Sequence, residues 1–191
     1  SEMCIRDREY IERYSFDGAK ILEIGAGTGR YSIALADKGY DVTAVELVPH
    51  NIDILKKKVK PKHKITIYEG NAVDLSFLDN ETYDIVLLLG PMYHLFNNED
   101  KHAAISEAIR VTKKGGVIYA AYCNNETRMY KMFYKKRVLG LLNSGEINKE
   151  FHFKANSGMV FELYRKPEID ELMKDYNVTR LHFVGVDMLS Y

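Results

Sequence analysis

Three glycines and two carboxylates give the strongest chemical signal in the sequence. Gly25, Gly27 and Gly29 follow a short apolar run, where a side chain would block the close approach of the backbone to a ligand. Glu23 stands two residues before the first of these glycines, and Glu46 ends the next apolar run. A carboxylate in the position of Glu46 can accept hydrogen bonds from both hydroxyls of a ribose. The combination predicts a nucleoside ligand.

The spacing of the glycines distinguishes two classes of nucleoside ligand. A dinucleotide-binding loop follows the pattern G-x-G-x-x-G, in which the third glycine lets a helix pack tightly beneath a pyrophosphate. Arg30 occupies that third position, and the glycines fall instead as G-x-G-x-G. The spacing therefore favours a ligand other than a dinucleotide, with NAD kept as the alternative.

Residues 23–29, Glu-Ile-Gly-Ala-Gly-Thr-Gly, resemble the first motif of class I S-adenosylmethionine-dependent methyltransferases, which is an acid followed by this glycine pattern. The resemblance extends over residues 19–191. It implies S-adenosylmethionine as the cofactor, in a pocket formed after the first four strands. The implied cofactor-binding residues are Glu23, Gly25, Ala26, Gly27, Thr28, Gly29, Glu46, Leu47, Asn71, Ala72, Leu89 and Gly90.

Two later segments resemble the same family. Residues 70–72, Gly-Asn-Ala, stand where the family has an acid or amide beside the adenine. An acid is commoner there, so Asn71 is a departure, although an amide oxygen can still accept from the adenine amine. Residues 87–95 resemble the segment of small-molecule methyltransferases where the methyl group meets the acceptor. They lack the Asp/Asn-Pro-Pro-aromatic motif of enzymes that methylate exocyclic base amines, which argues against a nucleic-acid acceptor.

Two residues of this segment are candidates for catalysis. Methyl transfer from a sulfonium is an in-line displacement, so the protein chiefly has to align donor and acceptor, and no catalytic residue is obligatory. Tyr93 is interpreted as a wall of the donor pocket that contacts the methyl group or donates a hydrogen bond. His94 has two interpretations, a base that removes the acceptor's proton or a histidine that packs the loop. Cys123 is interpreted as core filler at the end of the fifth strand.

Alternating strand and helix patterns predict the elements that position these residues. Apolar runs predict five strands, at 20–24, 41–46, 64–69, 84–89 and 117–123. With helices between them, they predict an α/β fold with a doubly wound, mostly parallel sheet of the Rossmann-like class I methyltransferase type. A helix at 167–176 and a sixth strand at 179 to about 187 follow. The resembled family adds a last antiparallel strand, for which the chain leaves no residues, so we expect the sheet to lack it.

The methyltransferase domain is expected at 9–191, and two segments are distinguished from its core. Residues 1–8 resemble the translation of a transposon adapter used in sequencing libraries, so we expect them to be foreign. The chain then leaves no room for the helices that usually precede the first strand, and we expect a fragment of marginal stability. Residues 124–166 form an insertion rich in aromatic residues. It is interpreted as a substrate lid, or alternatively as a segment whose aromatics pack onto the sheet.

Composition limits the possible partners and locations. The chain has 27 basic and 27 acidic residues, so it lacks the positive field typical of nucleic-acid binders. No apolar run reaches the roughly 18 residues of a membrane span, and no signal-peptide pattern opens the chain. We therefore expect no nucleic-acid or membrane partner, a cytoplasmic location and no metal.

The leading prediction is methyl transfer to a small-molecule acceptor. The alternatives are an NAD-dependent oxidoreductase and a nucleotide-binding module without catalysis.

Overall fold

Strands and helices alternate along the first of the two structural units, Ser1–Ala121 and Tyr122–Tyr191, into which the chain divides. The computed structural model describes residues 2–153 and 160–185. In chain order the elements of the first unit are α1 (Glu2–Tyr14), β1 (Lys20–Ile24), α2 (Arg30–Asp37), β2 (Asp41–Glu46), α3 (Pro49–Lys58), β3 (Lys64–Glu69), β4 (Tyr83–Leu88), a 3₁₀ turn (Pro91–Tyr93), α4 (Asn98–Val111) and β5 (Thr112–Ala120). No helix in the described ranges is long and apolar enough to cross a membrane, and the longest has 14 residues.

All five strands of this unit belong to one parallel sheet. Neighbours pair in the order β3-β2-β1-β4-β5. The order reverses direction between β1 and β4, which is the switch point of a doubly wound sheet. The predicted bounds of the first three strands are confirmed, and β4 begins and ends one residue earlier than predicted. The predicted fold class, a doubly wound and mostly parallel α/β sheet, is confirmed.

Helices cover both faces of this sheet. On one face, Ile11 of α1 and Leu35 of α2 pack in a buried cluster with Val42 of β2. Leu55 of α3 packs with Ala44, which lies two residues after Val42 and therefore points to the same face. Helix α4 connects β4 to β5, and the right-handed crossover rule places it on the opposite face. Because both faces are covered, the central strands β1 and β4 are nearly continuous buried runs, whereas the edge strand β3 alternates between half-buried and exposed residues.

Strand β5 differs from its predicted position because it contains a bulge. It begins at Thr112 rather than at Val117. Thr112 pairs with Tyr83 and Val117 pairs with Ile85, so extra residues of β5 bulge out between these two pairs. Gly115 in the bulge has a φ of +78°, in the left-handed region that favours glycine. Gly115 and Gly116 therefore lie in a bulge within the strand.

A helix does precede the first strand, contrary to the expectation that the chain leaves no room for one. The hydroxyl of Tyr119 in β5 donates a hydrogen bond of 2.6 Å to the backbone carbonyl of Tyr10 in α1. The hydroxyl of Tyr31 in α2 donates a hydrogen bond of 2.5 Å to the carboxylate of Asp7. These contacts attach α1 to the sheet and to α2. The foreign origin of residues 1–8 stays a prediction.

The second unit has a small sheet and core of its own. Its elements are β6 (Cys123–Asn124), α5 (Asn125–Tyr134), α6 (Val138–Asn143), β7 (Leu163–Tyr164) and α7 (Lys166–Met173), and β6 pairs with β7 in parallel. Met132, Ile147 and Phe153 form its buried cluster. Cys123 lies in β6, so the prediction that it ends the fifth strand is wrong. The lid role of residues 124–166 stays a prediction.

The predicted sixth strand is wrong for residues 179–185, which have no regular secondary structure. The rest of the predicted strand, residues 186 and 187, lies outside the described residues. Arg180 forms an ion pair with Asp170 of α7, and its guanidinium lies 5.6 Å from the centroid of the Phe183 ring. The segment is therefore held by side-chain contacts to a helix, whereas a strand needs a backbone ladder. A helix before it is confirmed as α7, which begins one residue earlier and ends three residues earlier than predicted.

Candidate active site

The loops after β1, β2, β3 and β4 lie along one edge of the sheet. Ile24 pairs with Val45, and Glu46 pairs with Glu69, so these parallel strands end together. Open α/β sheets bind their ligands at this carboxyl edge, next to the switch point. The edge therefore brings together the predicted site residues of the four loops, at 25–29, 46–47, 71–72 and 89–94.

The loop after β1 contains three glycines in the left-handed conformation. Their φ angles are +75° at Gly25, +55° at Gly27 and +81° at Gly29. A Cβ added to Gly25 would lie 2.9 Å from Cδ of Pro91, and one added to Gly29 would run into the side chain of Leu55. A Cβ added to Gly27 would meet no atom within 4 Å. Gly25 and Gly29 thus permit close packing, whereas Gly27 faces open space.

The carboxylate of Glu46 connects the glycine loop to the start of α3. Its Oε2 atom accepts a hydrogen bond of 2.6 Å from the backbone nitrogen of Gly27. Its Oε1 atom accepts from the backbone nitrogen of Val48 at 2.9 Å and from the side-chain amide of Asn51 at 3.1 Å. A carboxylate offers about four lone-pair positions, so Glu46 keeps capacity for another donor.

Glu23 supports the same loop from inside the protein. It is 3% exposed, and its Oε2 accepts hydrogen bonds from the backbone nitrogen of Ser32, at 2.8 Å, and from the Ser32 hydroxyl. Burial raises the pKa of Glu23 to about 7, while the bonds from Ser32 lower it and the charge of Glu46 raises it. The structure thus places Glu23 against the first turn of α2, facing Ser32.

The turn after β4 brings Tyr93 and His94 to the glycine loop. A Cβ added to Gly90 would lie 3.2 Å from the carbonyl oxygen of Gly25 and 4.0 Å from the hydroxyl oxygen of Tyr93. The two loops therefore pass close to each other, with the Tyr93 hydroxyl beside them. The rings of Tyr93 and His94 are in contact, with centroids 4.9 Å apart. Tyr93 is half-buried and His94 is exposed at the same edge.

The remaining predicted site residues differ in exposure. Ala26 and Ala72 are buried, Thr28 and Leu89 are half-buried, and Leu47 and Asn71 are exposed. The Oδ1 atom of Asn71 accepts a hydrogen bond of 3.3 Å from the backbone nitrogen of Val73, which closes the turn after β3. Leu47 is 56% exposed directly beside the buried Glu46, and it gives this edge an apolar surface.

Sequence reasoning missed several residues that build the site. They are Ser32, which bonds Glu23; Asn51, which bonds Glu46; Pro91, which packs on Gly25; and Lys58, whose Nζ donates a hydrogen bond of 2.8 Å to the carbonyl of Thr28. Asn51 lies five residues after Glu46 and in the first turn of α3, so helical spacing after the acid could have indicated it. Nothing in the sequence pairs Ser32 with Glu23.

Metal-binding side chains do not cluster in the part of the chain that the structure describes, where no group of three His, Cys, Asp or Glu residues could hold an ion. Cys123 belongs to the second unit rather than to the sheet edge. The chemical groups at the edge are thus the glycine-loop backbone, the Glu46 carboxylate, the Tyr93 hydroxyl and the His94 imidazole.

The segment that forms this edge is similar in sequence to proteins of a known family. A family model described as "Methyltransferase domain" matches residues 21–116, which include all four loops. A demethylmenaquinone methyltransferase of Staphylococcus saprophyticus is 31% identical over 126 residues, which are 62% of this chain and 52% of the relative. A cypemycin N-terminal methyltransferase of a Streptomyces species is 33% identical over 54% of this chain and 41% of its own. The chain thus spans about half the length of these curated relatives.

A solved structure shares the fold. The S-adenosylmethionine-dependent methyltransferase of Methanosarcina mazei superposes with a TM-score of 0.68 at 22% identity, over 87% of this chain and 82% of its own. This likeness concerns the fold, whereas the family model covers half of the sequence, including the glycine loop and Glu46. The chain belongs to the methyltransferase-domain family, among the class I S-adenosylmethionine-dependent methyltransferases.

Proposed function

We propose that the chain binds S-adenosylmethionine at the carboxyl edge of its sheet and transfers the methyl group to a small-molecule acceptor. The observation that carries this proposal is the contact between Glu46 and Gly27. This hydrogen bond of 2.6 Å joins a carboxylate that can accept from ribose hydroxyls to a loop open to solvent, at the carboxyl edge beside the switch point of the sheet.

The residues at this edge fit an adenosine with an attached amino acid. Gly27 leaves open space where a ligand can approach the loop backbone. Glu46 keeps capacity to accept from ribose hydroxyls, and the exposed Leu47 beside it offers apolar contact to an adenine ring. Asn71 lies at the end of the neighbouring strand, where its amide can bond the adenine amine. Glu23 acts by holding the glycine loop and α2 in place.

The roles of Tyr93 and His94 follow from their position beside the glycine loop. When bound, S-adenosylmethionine supplies a methyl group on a positively charged sulfur, which an acceptor nucleophile displaces in line. The Tyr93 hydroxyl lies near Gly25 and Gly90, where it would line the donor pocket and orient the methyl group. The exposed His94 imidazole takes the proton that a hydroxyl or amine acceptor loses. Ring contact with Tyr93 orients His94 for this transfer.

The acceptor is proposed to be a small molecule, and the reaction is proposed to occur in the cytoplasm. The names of the relatives support the acceptor class in part, since one acts on demethylmenaquinone and another on the N-terminus of cypemycin. The aromatic insertion at 124–166 is proposed to contact the acceptor. We propose no nucleic-acid acceptor, because the turn after β4 lacks the motif that base-amine methyltransferases carry there.

Two other functions are distinguished by one binding experiment and one turnover experiment. An NAD-dependent oxidoreductase needs a third glycine where the exposed Arg30 begins α2, so the loop disfavours it. We expect S-adenosylhomocysteine at 1 mM to raise the Tm by several degrees and NAD to leave it unchanged. Stabilisation by NAD alone would refute the cofactor assignment.

Release of S-adenosylhomocysteine in the presence of amines, phenols, carboxylates and thiols then tests catalysis. Binding without turnover on any acceptor would favour a binding module.

A further inference from the structure

Helix α5 of the second unit exposes aromatic residues on its outer side. Met129 and Met132 of this helix pack in the unit's core. Tyr130, Phe133 and Tyr134 follow the spacing i, i+3, i+4, which places them on one side of the helix. They are 62%, 74% and 81% exposed. Three large rings on one exposed side are unusual, because folding normally buries such side chains.

The same segment concentrates positive charge in a chain whose formal net charge is zero. Residues 125–143 contain five basic residues, two of which are Lys131 and Lys135, and a single acidic one. That acidic residue, Glu126, forms an ion pair of 2.9 Å with Arg165. Lys131 and Lys135 are exposed and take part in no ion pair among the described residues. The aromatic side of α5 is thus flanked by ammonium groups.

Helix α6, which follows α5 after a three-residue turn, exposes one more large apolar side chain. Leu139 is 75% exposed, while Leu141 and Leu142 of the same helix pack on the core. We call Tyr130, Lys131, Phe133, Tyr134, Lys135 and Leu139 the aromatic-basic surface. It combines exposed rings, an exposed aliphatic side chain and long basic side chains, which is the composition of helices that lie in the interface of a membrane.

We propose that the aromatic-basic surface binds the surface of a bilayer that contains anionic phospholipids. Aromatic rings prefer the boundary between headgroups and acyl chains, and lysine side chains reach from there to the headgroup phosphates. Charge complementarity identifies the partner, because a cluster of basic residues beside an amphipathic helix is attracted to anionic lipid. No membrane partner was expected from the sequence, since that expectation rested on spanning segments. A helix lying on the surface needs no such segment.

A nucleic acid fits these observations less well than a bilayer. Its phosphates would bind the lysines, but a phosphate backbone does not cover the exposed Leu139 or Phe133. The formal net charge of zero also provides no wider positive field to hold a polyanion. The proposed lipid binding does not depend on catalysis.

Sedimentation with lipid vesicles tests the proposal on the whole chain. We expect binding to vesicles of phosphatidylcholine and phosphatidylglycerol at 3:1, weak binding to pure phosphatidylcholine, and weaker binding at 0.5 M than at 0.05 M NaCl. Lys131→Gln with Lys135→Gln removes two interfacial charges and should weaken binding roughly 10- to 30-fold. Phe133→Ser with Tyr134→Ser removes the rings and should weaken binding tenfold or more.

Two matched variants control for general loss of charge and apolar surface. Lys56→Gln with Lys57→Gln removes two exposed lysines from the last turn of α3. Phe16→Ser with Leu181→Ser removes two exposed apolar side chains outside the aromatic-basic surface. Both should bind vesicles like the original chain, with all variants showing unchanged circular dichroism. Equal binding to both vesicle types, equal loss in the controls, or preference for single-stranded RNA over vesicles would overturn the proposal.

Discussion

The Glu46 carboxylate lies 2.6 Å from the backbone nitrogen of Gly27, so the end of β2 holds the loop that follows β1. The same carboxylate bonds Val48 and Asn51 at the start of α3. One buried acid thus sets the positions of two neighbouring loops at the carboxyl edge of the sheet. A ribose bound to this carboxylate would add its bonds to a group that is already oriented, which lowers the entropy cost of binding.

Replacing Glu46 should therefore weaken binding of the donor. We expect Glu46→Ala to weaken S-adenosylhomocysteine binding by roughly 1 to 3 kcal/mol, because the ribose hydroxyls and the Gly27 N–H lose their acceptor. Isothermal titration calorimetry measures this change. Asp53→Ala removes an exposed acid from α3 and should leave the affinity unchanged. Unchanged affinity in Glu46→Ala would remove Glu46 from the donor site.

Alanine at Gly27 should separate the loss of binding from the loss of stability. Gly27 and Gly39 both have positive φ, and a Cβ at either would meet no atom within 4 Å. Each alanine variant should therefore lose about 1 kcal/mol of unfolding free energy to backbone strain. Only Gly27→Ala should weaken S-adenosylhomocysteine binding, by tenfold or more, because Gly39 lies at the other end of α2. Equal affinities in calorimetry would show that the ligand does not approach Gly27.

Gly29 should behave in the opposite way to Gly27. A Cβ there would run into the side chain of Leu55, which is fully buried in the core under the loop. Gly29→Ala should therefore cost several kcal/mol of unfolding free energy, from overpacking in addition to strain. Urea unfolding monitored by circular dichroism measures the loss. A loss no larger than that of Gly39→Ala would show that Leu55 moves aside without cost.

Much of the fold could be predicted because its signals are local. The strands β1, β2 and β3 are short segments rich in apolar and β-branched residues, each of which begins with a charged residue, and their bounds were predicted to the residue. The glycine loop and Glu46 follow directly from these strands, so their common edge follows from parallel pairing. The parts of the candidate site that depend only on spacing within one strand and the helix after it could therefore be predicted from the sequence.

The parts that were predicted wrongly depend on contacts distant in sequence. The β5 bulge forms because Thr112 pairs with Tyr83 while Val117 pairs with Ile85, a register that no local pattern encodes. Residues 179–185 are apolar enough to suggest a strand, but Arg180 and Phe183 bond and pack locally instead. The pairing of Glu23 with Ser32 joins β1 to α2 and likewise has no sequence signal.

The buried Glu23 should make stability depend on pH. Because its folded pKa of about 7 lies above the ordinary value of 4.5, the folded protein keeps a proton that the unfolded chain releases. The contribution of Glu23 is therefore fully present below pH 4.5, falls as pH rises through 4.5 to 7, and is lost above about 7. It amounts to roughly 2 to 4 kcal/mol.

Glu23→Gln isolates this contribution from other titrating groups. The neutral amide oxygen can still accept from the backbone nitrogen and hydroxyl of Ser32. Urea unfolding at pH 5, 6, 7 and 8 should show a decline for the original chain that is smaller in Glu23→Gln. Parallel curves for the two proteins would mean that Glu23 is ionised in the folded state throughout this range.

His94 should affect turnover without affecting donor affinity. It is exposed at the edge, in ring contact with Tyr93, whose hydroxyl lies near Gly25 and Gly90. If it removes the acceptor's proton, His94→Ala should lower kcat about 10²-fold with a hydroxyl or amine acceptor. His102→Ala, an exposed histidine of α4, is the matched control and should keep full activity. Calorimetry should give the same S-adenosylhomocysteine affinity for both variants, because the role proposed for His94 concerns the acceptor and not the donor. A loss of kcat below about threefold would instead assign His94 to packing of the turn against Tyr93.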